Sequence, residues 1–384
     1  MATTQDNRTH LRFLHCSDIH LETPFFGLTP EKSEERRREI KTTFMRIMQY
    51  VRDRGIQVVM ISGDLFDRRY ATNATAEVLI REFRQCPDTV FIIAPGKNDC
   101  YKDNPIYVSD RLPSNCYVFR DDKLSRFDFD KYNVTVYGWA FLGESMTESP
   151  LYGREVDDPS RINIVCGYAD LDGALGSTDC PVSEADLKRF GADYYALGSR
   201  HSSGDFVRLA DSIYSYCGAP ECTGFADTGI GGANLIVVDY KGGELNIDVK
   251  RLSFGRIRFV NATIDITGVE KSNEIIQRIS RLISEKKYGT ETALRVELTG
   301  SVSPSFVISD TIRSESFGLY FFDIVDKTLP LYGAEPLARD MSTAGEVYRK
   351  LLPDMQSDDE DKRRTAARAF RVALAYLEGR DTDL

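Results

Sequence analysis

Three times before Lys102 this chain runs a short apolar stretch straight into a loop of acidic residues, glycine and small polar groups. Leu11 to Cys16 leads into Ser17-Asp18-Ile19-His20. Ile56 to Ile61 leads into Ser62-Gly63-Asp64-Leu65-Phe66-Asp67. Thr89 to Ala94 leads into Pro95-Gly96-Lys97-Asn98-Asp99. Helical periodicity fills the intervals: Ile40, Phe44, Ile47, Met48 and Val51 line one face of Glu31 to Arg54, while Arg36, Arg37, Arg38 and Lys41 share the other with glutamates. Ala76 to Phe83 reads as a second helix. Buried strands alternating with amphipathic helices dictate a layered α/β domain, with the polar motifs just past the strands' carboxyl ends, where such sheets place ligand sites. Val134 to Tyr137, Ile162 to Cys166, Tyr194 to Leu197 and Asn234 to Asp239 read as further strands of the same domain, which is expected to end near Phe254.

From Gly255 the pattern changes. Arg256 to Ile266 alternates like a strand. Asn273 to Lys286 places Ile275, Ile276, Ile279 and Ile283 on one helical face, and Ala293 to Leu298 and Gly318 to Val325 read as strands. This predicts a small α+β unit over 255–338. A helical tail over 339–384 follows, in which the acidic run Asp358 to Asp361 precedes Arg364 to Leu377. Ala367, Phe370, Ala373, Leu374 and Leu377 form an apolar stripe there. The stripe either packs on its own domain or docks a partner helix, with the acidic run as a flexible tether.

Composition excludes several classes. The apolar runs are strand-sized and Met1 to Asn7 is polar, so neither a transmembrane span nor a signal peptide is expected. Eight cysteines without CxxC spacing point to reduced thiols and a cytoplasmic protein. A net charge of −10 is wrong for a dedicated nucleic-acid binder, so any DNA contact has to come from a local patch.

The loops carry metal-ligand chemistry. Asp18 and His20 are two apart, so in an extended segment both side chains point to one side and offer a carboxylate and an imidazole to one cation. Asp64 adds a second carboxylate, Gly63 permits close backbone approach, and Asp67 is placed to brace the loop. Together the three loops resemble the first segments of a calcineurin-type metallophosphoesterase. Cys16 to Leu21 with Gly63 to Asp67 is similar to the SbcD-type exonuclease branch. Asp193-Tyr194-Tyr195-Ala196-Leu197-Gly198-Ser199-Arg200-His201 resembles its fifth segment, and Tyr216 to Glu221 the turn beyond. Arg295 to Gly300 and the tail are most similar to YhaO-like bacterial relatives. The resemblance implies a layered metallophosphoesterase β-sandwich flanked by helices over 1–254, with a small α+β capping domain and a helical C-terminal tail.

It also implies two metal sites, and here the scarcity of histidine matters. The chain has four: His10, His15, His20 and His201. In the resembled branch one ion takes the positions of Asp18, His20, Asp64 and His201, all intact. The other shares Asp64 and takes the positions matched here by Lys97, Cys166 and Ser199, none of which keeps the family ligand. Asn98 stands at the catalytic-histidine position, beside Asp99. Lys97 and Arg200 bring cations that are expected to bind phosphate or to compensate Asp64. Cys166 is read as a buried small residue rather than a thiolate ligand, and His15 as a packed histidine.

The reading is therefore an SbcD-like DNA-repair exonuclease family protein, a phosphodiester hydrolase with impaired or altered activity and one divalent ion (Mn, Fe or Zn). One alternative is a catalytically silent metal-binding subunit that binds DNA ends or a coiled-coil ATPase; another is a protein or small-molecule phosphatase. The resemblance implies a homodimer, DNA and a coiled-coil ATPase of the SbcC type as partners, and no membrane.

Overall fold

A computed structural model of the chain describes residues 9–25, 30–109, 111–173, 176–241, 244–303, 306, 308, 312, 315, 317–330, 338–377 and 379. The polar leader Met1 to Asn7 lies outside them. The chain divides into two compact units, Met1–Arg258 and Phe259–Leu384.

In chain order the first unit contains β1 (Thr9–Cys16), α1 (Pro30–Arg54), β2 (Val58–Ile61), α2 (Asn73–Arg84), β3 (Val90–Ile93), β4 (Cys116–Val118), β5 (Ser125–Phe129) and β6 (Val134–Gly138). There follow β7 (Ile162–Tyr168), the short β8 (Asp170–Leu171) and β9 (Pro181–Val182), α3 (Glu184–Phe190), β10 (Tyr194–Gly198), β11 (Val207–Leu209), β12 (Ser212–Tyr216), β13 (Gly232–Lys241) and β14 (Glu244–Ser253). Twelve of these strands form two six-stranded sheets, ordered β14-β13-β1-β2-β3-β4 and β11-β12-β10-β7-β6-β5, and β8 pairs with β9.

Side-chain alternation sorts each strand between two cores. Phe13, Val58, Met60 and Ile92 meet Ile164, Cys166, Tyr194 and Ile213 between the sheets. On the outer face of the first sheet, Leu14, Val59, Ile61 and Phe91 pack with Ile40, Phe44 and Ile47 of α1 and Leu79 and Phe83 of α2. On the outer face of the second, Val165, Tyr195 and Leu197 pack with Leu187 and Phe190 of α3. The layering is helix, sheet, sheet, helix, which is the sandwich expected. Central strands buried on both faces read as unbroken apolar runs, and all four residues of β2 are buried.

Three details differ from the expectations. Arg36 is buried rather than on the solvated face of α1. It donates to the Cys222 carbonyl at 2.6 Å and pairs with buried Glu221 at 3.4 Å, which also accepts from the Thr43 hydroxyl at 2.9 Å. A buried guanidinium is tolerated where a partner carboxylate and carbonyl are supplied. Next, β7 does not end at Cys166 but runs on to Tyr168. Finally, the acidic run near the C-terminus is no tether.

The second unit holds β15 (Arg258–Asp265), α4 (Ser272–Lys286), β16 (Thr292–Thr299), β17 (Ser301–Val302), β18 (Phe321–Asp326), β19 (Leu329–Pro330), α5 (Thr343–Met355) and α6 (Glu360–Leu377), with a sheet ordered β15-β16-β18. Ile275 and Ile279 of α4 join Leu294, Val296 and Ile324 in its core. Asp359 caps α6, accepting from the backbone of Asp361 and Lys362 at 3.0 and 3.2 Å. Carboxylates are favoured there because the first-turn N–H groups lack partners. Phe370 and Leu374 from the apolar stripe bury against Tyr348 of α5.

Candidate metal centre

Asp18 and His20 follow β1, Asp64 follows β2, and Ser199 to His201 follow β10. The first segment is not extended as expected: Asp18, His20 and Asp64 have φ of 51°, 52° and 52°. Non-glycine residues in this left-handed region are uncommon and persist where surrounding bonds fix them. Here the two loops are laced together, Asp18 N–H to the Gly63 carbonyl at 3.0 Å, His20 N–H to Asp64 at 2.9 Å and Leu21 N–H to Leu65 at 3.1 Å. The lacing turns the side chains inward.

The result is a cluster in which Asp18 and His20 are buried and His201 is half-buried. Asp18, His20 and His201 offer three ligand atoms within 4.8 Å of one another. His20 Nε2 lies 3.1 Å from His201 Nε2 and 3.7 Å from Asp64 Oδ2; His201 Nε2 lies 4.0 Å from Asp18 Oδ1. The outer ring nitrogens are both committed: His20 Nδ1 is bonded to Asp67 at 2.8 Å and His201 Nδ1 to Asp227 at 3.3 Å. A carboxylate behind Nδ1 fixes the tautomer with its proton there and leaves Nε2 as a lone pair aimed at a cation. At 3.1 Å the two Nε2 atoms are held together by a shared proton in the metal-free protein, the place a cation would take. This arrangement fits a metal ion.

The electrostatics agree. Burial raises both Asp18 and Asp64 above the usual carboxylate range, although the nearby histidines oppose it. Burial alone would lower His20, but the bond from Asp67 and the charges of Asp64 and Asp18 overcome it and raise it to about 9. The same balance, with Asp227 and Asp18, raises His201. The raised histidines reflect the negative charge of the carboxylates that surround them. A divalent cation answers the same charge.

The other half of the centre is built differently. Asn98, not Lys97, faces Asp64: its backbone N–H donates to Oδ1 and its amide Nδ2 to Oδ2, each at 2.8 Å. Lys97 reaches away to Asp179 at 2.7 Å. Arg200 donates to the Leu171 carbonyl at 2.7 Å and lies over the Tyr216 ring, with Asp170 at 3.8 Å. Neither cation compensates Asp64, so that expectation is corrected: two N–H groups of Asn98 do so. Ser199 gives its hydroxyl to the Ala169 carbonyl at 2.9 Å. Cys166 points between the sheets, its thiol 3.5 Å from Ser62 Oγ, and burial pushes it up to about 12, so it is no thiolate. Asp99 accepts from the backbone of Gly96, Asp64 and Leu65 at 2.7 to 3.0 Å and from the Tyr107 hydroxyl at 2.5 Å. It braces both loops and leaves no oxygen for a reacting group. Burial and the neighbouring Asp64 raise it to about 7.

A family model for calcineurin-like phosphoesterases matches residues 11–202. The chain belongs to the calcineurin-like phosphoesterase family. Among curated relatives it is 25% identical over 307 residues to the metallophosphoesterase YhaO of Bacillus subtilis, covering 76% of this chain and 72% of that one. It is also 25% identical over 226 residues to the DNA double-strand break repair protein Mre11 of Methanopyrus kandleri, covering 55% of this chain and 49% of that one. Among solved structures it is similar to a dimetal phosphatase from Danio rerio, at 10% identity and a TM-score of 0.42 over 64% of this chain and 99% of that one.

As a calcineurin-like phosphoesterase the chain implies a divalent metal, and the triad that fits it is Asp18, His20 and His201, with Asp64 Oδ2 3.7 Å from His20 Nε2. Two features escaped the sequence reading. Asp227 anchors His201 from a loop with no motif of its own. Tyr168 lies beside Asp64, and the alternation of β7, continued two residues past Cys166, is the signal that finds it. His15, by contrast, is the packed histidine expected: burial and Arg251 lower it to about 3, and Nδ1 bonds Tyr194 at 3.1 Å. All eight cysteines are free thiols. Among the described residues no helix is long and apolar enough to cross a membrane.

Proposed function

We propose that this chain is a phosphodiesterase of the SbcD/Mre11-like nuclease branch that works with one divalent ion and hydrolyses slowly. The observation that carries the reading is the pair of facing imidazole Nε2 atoms, 3.1 Å apart, each held from behind by a carboxylate. A bound ion contributes Lewis acidity and positive charge at the phosphoryl oxygens. Asp18, His20, Asp64 and His201 would hold it; Asp67 and Asp227 fix the two rings, and Asp99 holds the Asp64 loop. Asn98 donates hydrogen bonds but cannot protonate a leaving alkoxide as histidine does, which costs roughly 10²–10⁴-fold.

An anionic substrate has a way in. A cleft of about 630 Å³ opens beside Asn98 and Asp67 and is lined by Arg68, Arg69, Lys97 and Lys102, with Tyr70 half exposed at its rim. Asp67, Asp103 and Glu144 line it as well, with Arg69 paired to Glu144 and Lys97 to Asp179, so phosphate would have to compete for these cations. Similarity to a DNA break-repair protein makes DNA the substrate class of this reading. A homodimer and a coiled-coil ATPase of the SbcC type belong to it as partners. On α5 and α6, Phe370 and Leu374 are taken up internally, while Val372, Ala373, Tyr376 and Leu377 line a shallow apolar groove that a partner helix fits.

Mn²⁺-loaded protein assayed on single-stranded DNA and on bis-(p-nitrophenyl) phosphate tests the hydrolase. Slow turnover that disappears in Asp18→Asn is expected. Turnover surviving that change contradicts the site. No turnover, with the metal bound, favours a second reading: a metal-stabilised subunit that binds DNA ends or the ATPase without cutting. The absence of an acid at Asn98 is the observation behind it.

A further inference from the structure

We propose that Tyr168 closes the second-ion half of the centre and fixes this chain at one ion. The inference rests on the single-ion reading above and names its cause. β7 and β10 run in parallel with Tyr168 level with Gly198, so Tyr168 stands immediately beside the segment that carries Ser199 and His201. Its ring enters the gap between the loops after β2 and β3. A Cβ built on Gly63 would meet Tyr168 Cδ2 at 2.4 Å. One built on Gly96 would meet the same ring carbon at 2.7 Å and Asp64 Oδ1 at 2.6 Å. Both loops therefore need glycine for the ring to fit, and Asp64 Oδ1 borders the same gap at Gly96.

The ring is not free to leave. Tyr168 is 5% exposed, packs edge-on against Phe141 with centroids 5.2 Å apart, and accepts at its carbonyl from Trp139 Nε1 at 3.1 Å. The remaining ligands of a second ion are absent or spent: the Ser199 hydroxyl on Ala169, the Lys97 ammonium on Asp179. Asp64 and Asn98 are left, two donors where a transition metal takes four or more. Cys166, two residues before Tyr168 on β7, packs between the sheets instead.

The test is a Mn²⁺ count on the full chain by elemental analysis, with the electron paramagnetic resonance spectrum of the bound metal. In two-metal sites the ions lie about 3.5–4 Å apart, close enough to couple magnetically. Wild type is expected to bind one ion with an uncoupled six-line spectrum. Tyr168→His with Ser199→His should gain a second, coupled ion, whereas Cys166→His with Ser199→His should stay at one. Tyr168→His alone, expected to add a weaker second ion, serves if the double variant does not fold. The inference is overturned if wild type binds two coupled ions, if the folded Tyr168 variants stay at one, or if the Cys166 pair gains the ion instead. Wild type binding none would break the single-ion reading itself.

Discussion

The two halves of the centre meet at Asp64, share the loop after β10 and have opposite designs. Around Asp18, His20 and His201 each imidazole is backed by a carboxylate, the backbone is held in a left-handed turn, and the lone pairs converge. Around Asn98, Lys97 and Ser199 each side chain has a protein partner: Asn98 has Asp64, Lys97 has Asp179 and Ser199 has Ala169. The first half gathers carboxylates and imidazoles around one point; the second pairs its side chains off within the protein. On the proposed one-ion reading, the second half is an ordinary hydrogen-bonded, aromatic-packed interior rather than a ligand set.

The comparison is broken most directly by attacking the half that converges. His20→Ala should abolish metal binding, beyond the roughly 10–100-fold that outer-shell changes cost. It should also erase the difference in melting temperature between metal-loaded and chelator-treated protein. In the wild type, metal at a hundred times its Kd adds about 2.7 kcal/mol. An unchanged difference in titration and melting experiments would place the ion elsewhere.

Asp227→Asn and Asp67→Asn leave the ligands in place and remove the carboxylates behind them. Each should weaken Mn²⁺ by about 10–100-fold. Isothermal titration reads this, and no loss in either variant would mean that the rings are oriented by packing alone.

The retained half also sets a pH dependence. In metal-free protein the raised His20 favours its protonated form, so its contribution to stability is fully present below about 6.5 and is lost as pH rises through about 9. Asp18 and Asp64, raised by burial, act in the same sense. Metal binding releases those protons and strengthens with pH. The melting temperatures of metal-free and metal-loaded protein should therefore diverge between pH 6.5 and 9, and parallel curves would contradict the assignment of His20 as a ligand.

The smallest effect is expected at Lys97. Its pair with Asp179 is about a third exposed on each side, and such pairs contribute roughly 0–1 kcal/mol. Lys97→Ala should leave metal affinity unchanged. A measurable loss would return the ammonium to Asp64.

Much of this was legible in the sequence because strand-end motifs are local. Asp18, His20 and Asp64 sit within a few residues of apolar runs whose burial fixes where the loops emerge. His201 was legible because so few histidines compete with it. What could not be read depends on long-range packing. Whether Lys97 or Asn98 turned toward Asp64 is decided by Asp179, far along the chain. Asp227 reaches His201 across a loop without regular structure. Tyr168 was hidden by ending β7 two residues early, since Gly167 interrupts the apolar run; the small residue is needed because Trp139 packs against it. The acidic run at Asp358 to Asp361 looked like a tether and is part of a helix start, a distinction set by the capping bonds of Asp359.

The central claim, one ion on the converging half, is tested most directly by anomalous diffraction from crystals grown with excess Mn²⁺. The account predicts a single peak per chain bounded by Asp18, His20, Asp64 and His201, with Tyr168 in place beside Asp64. A second peak between Asp64 and Asn98, or a lone peak on that side, would contradict it.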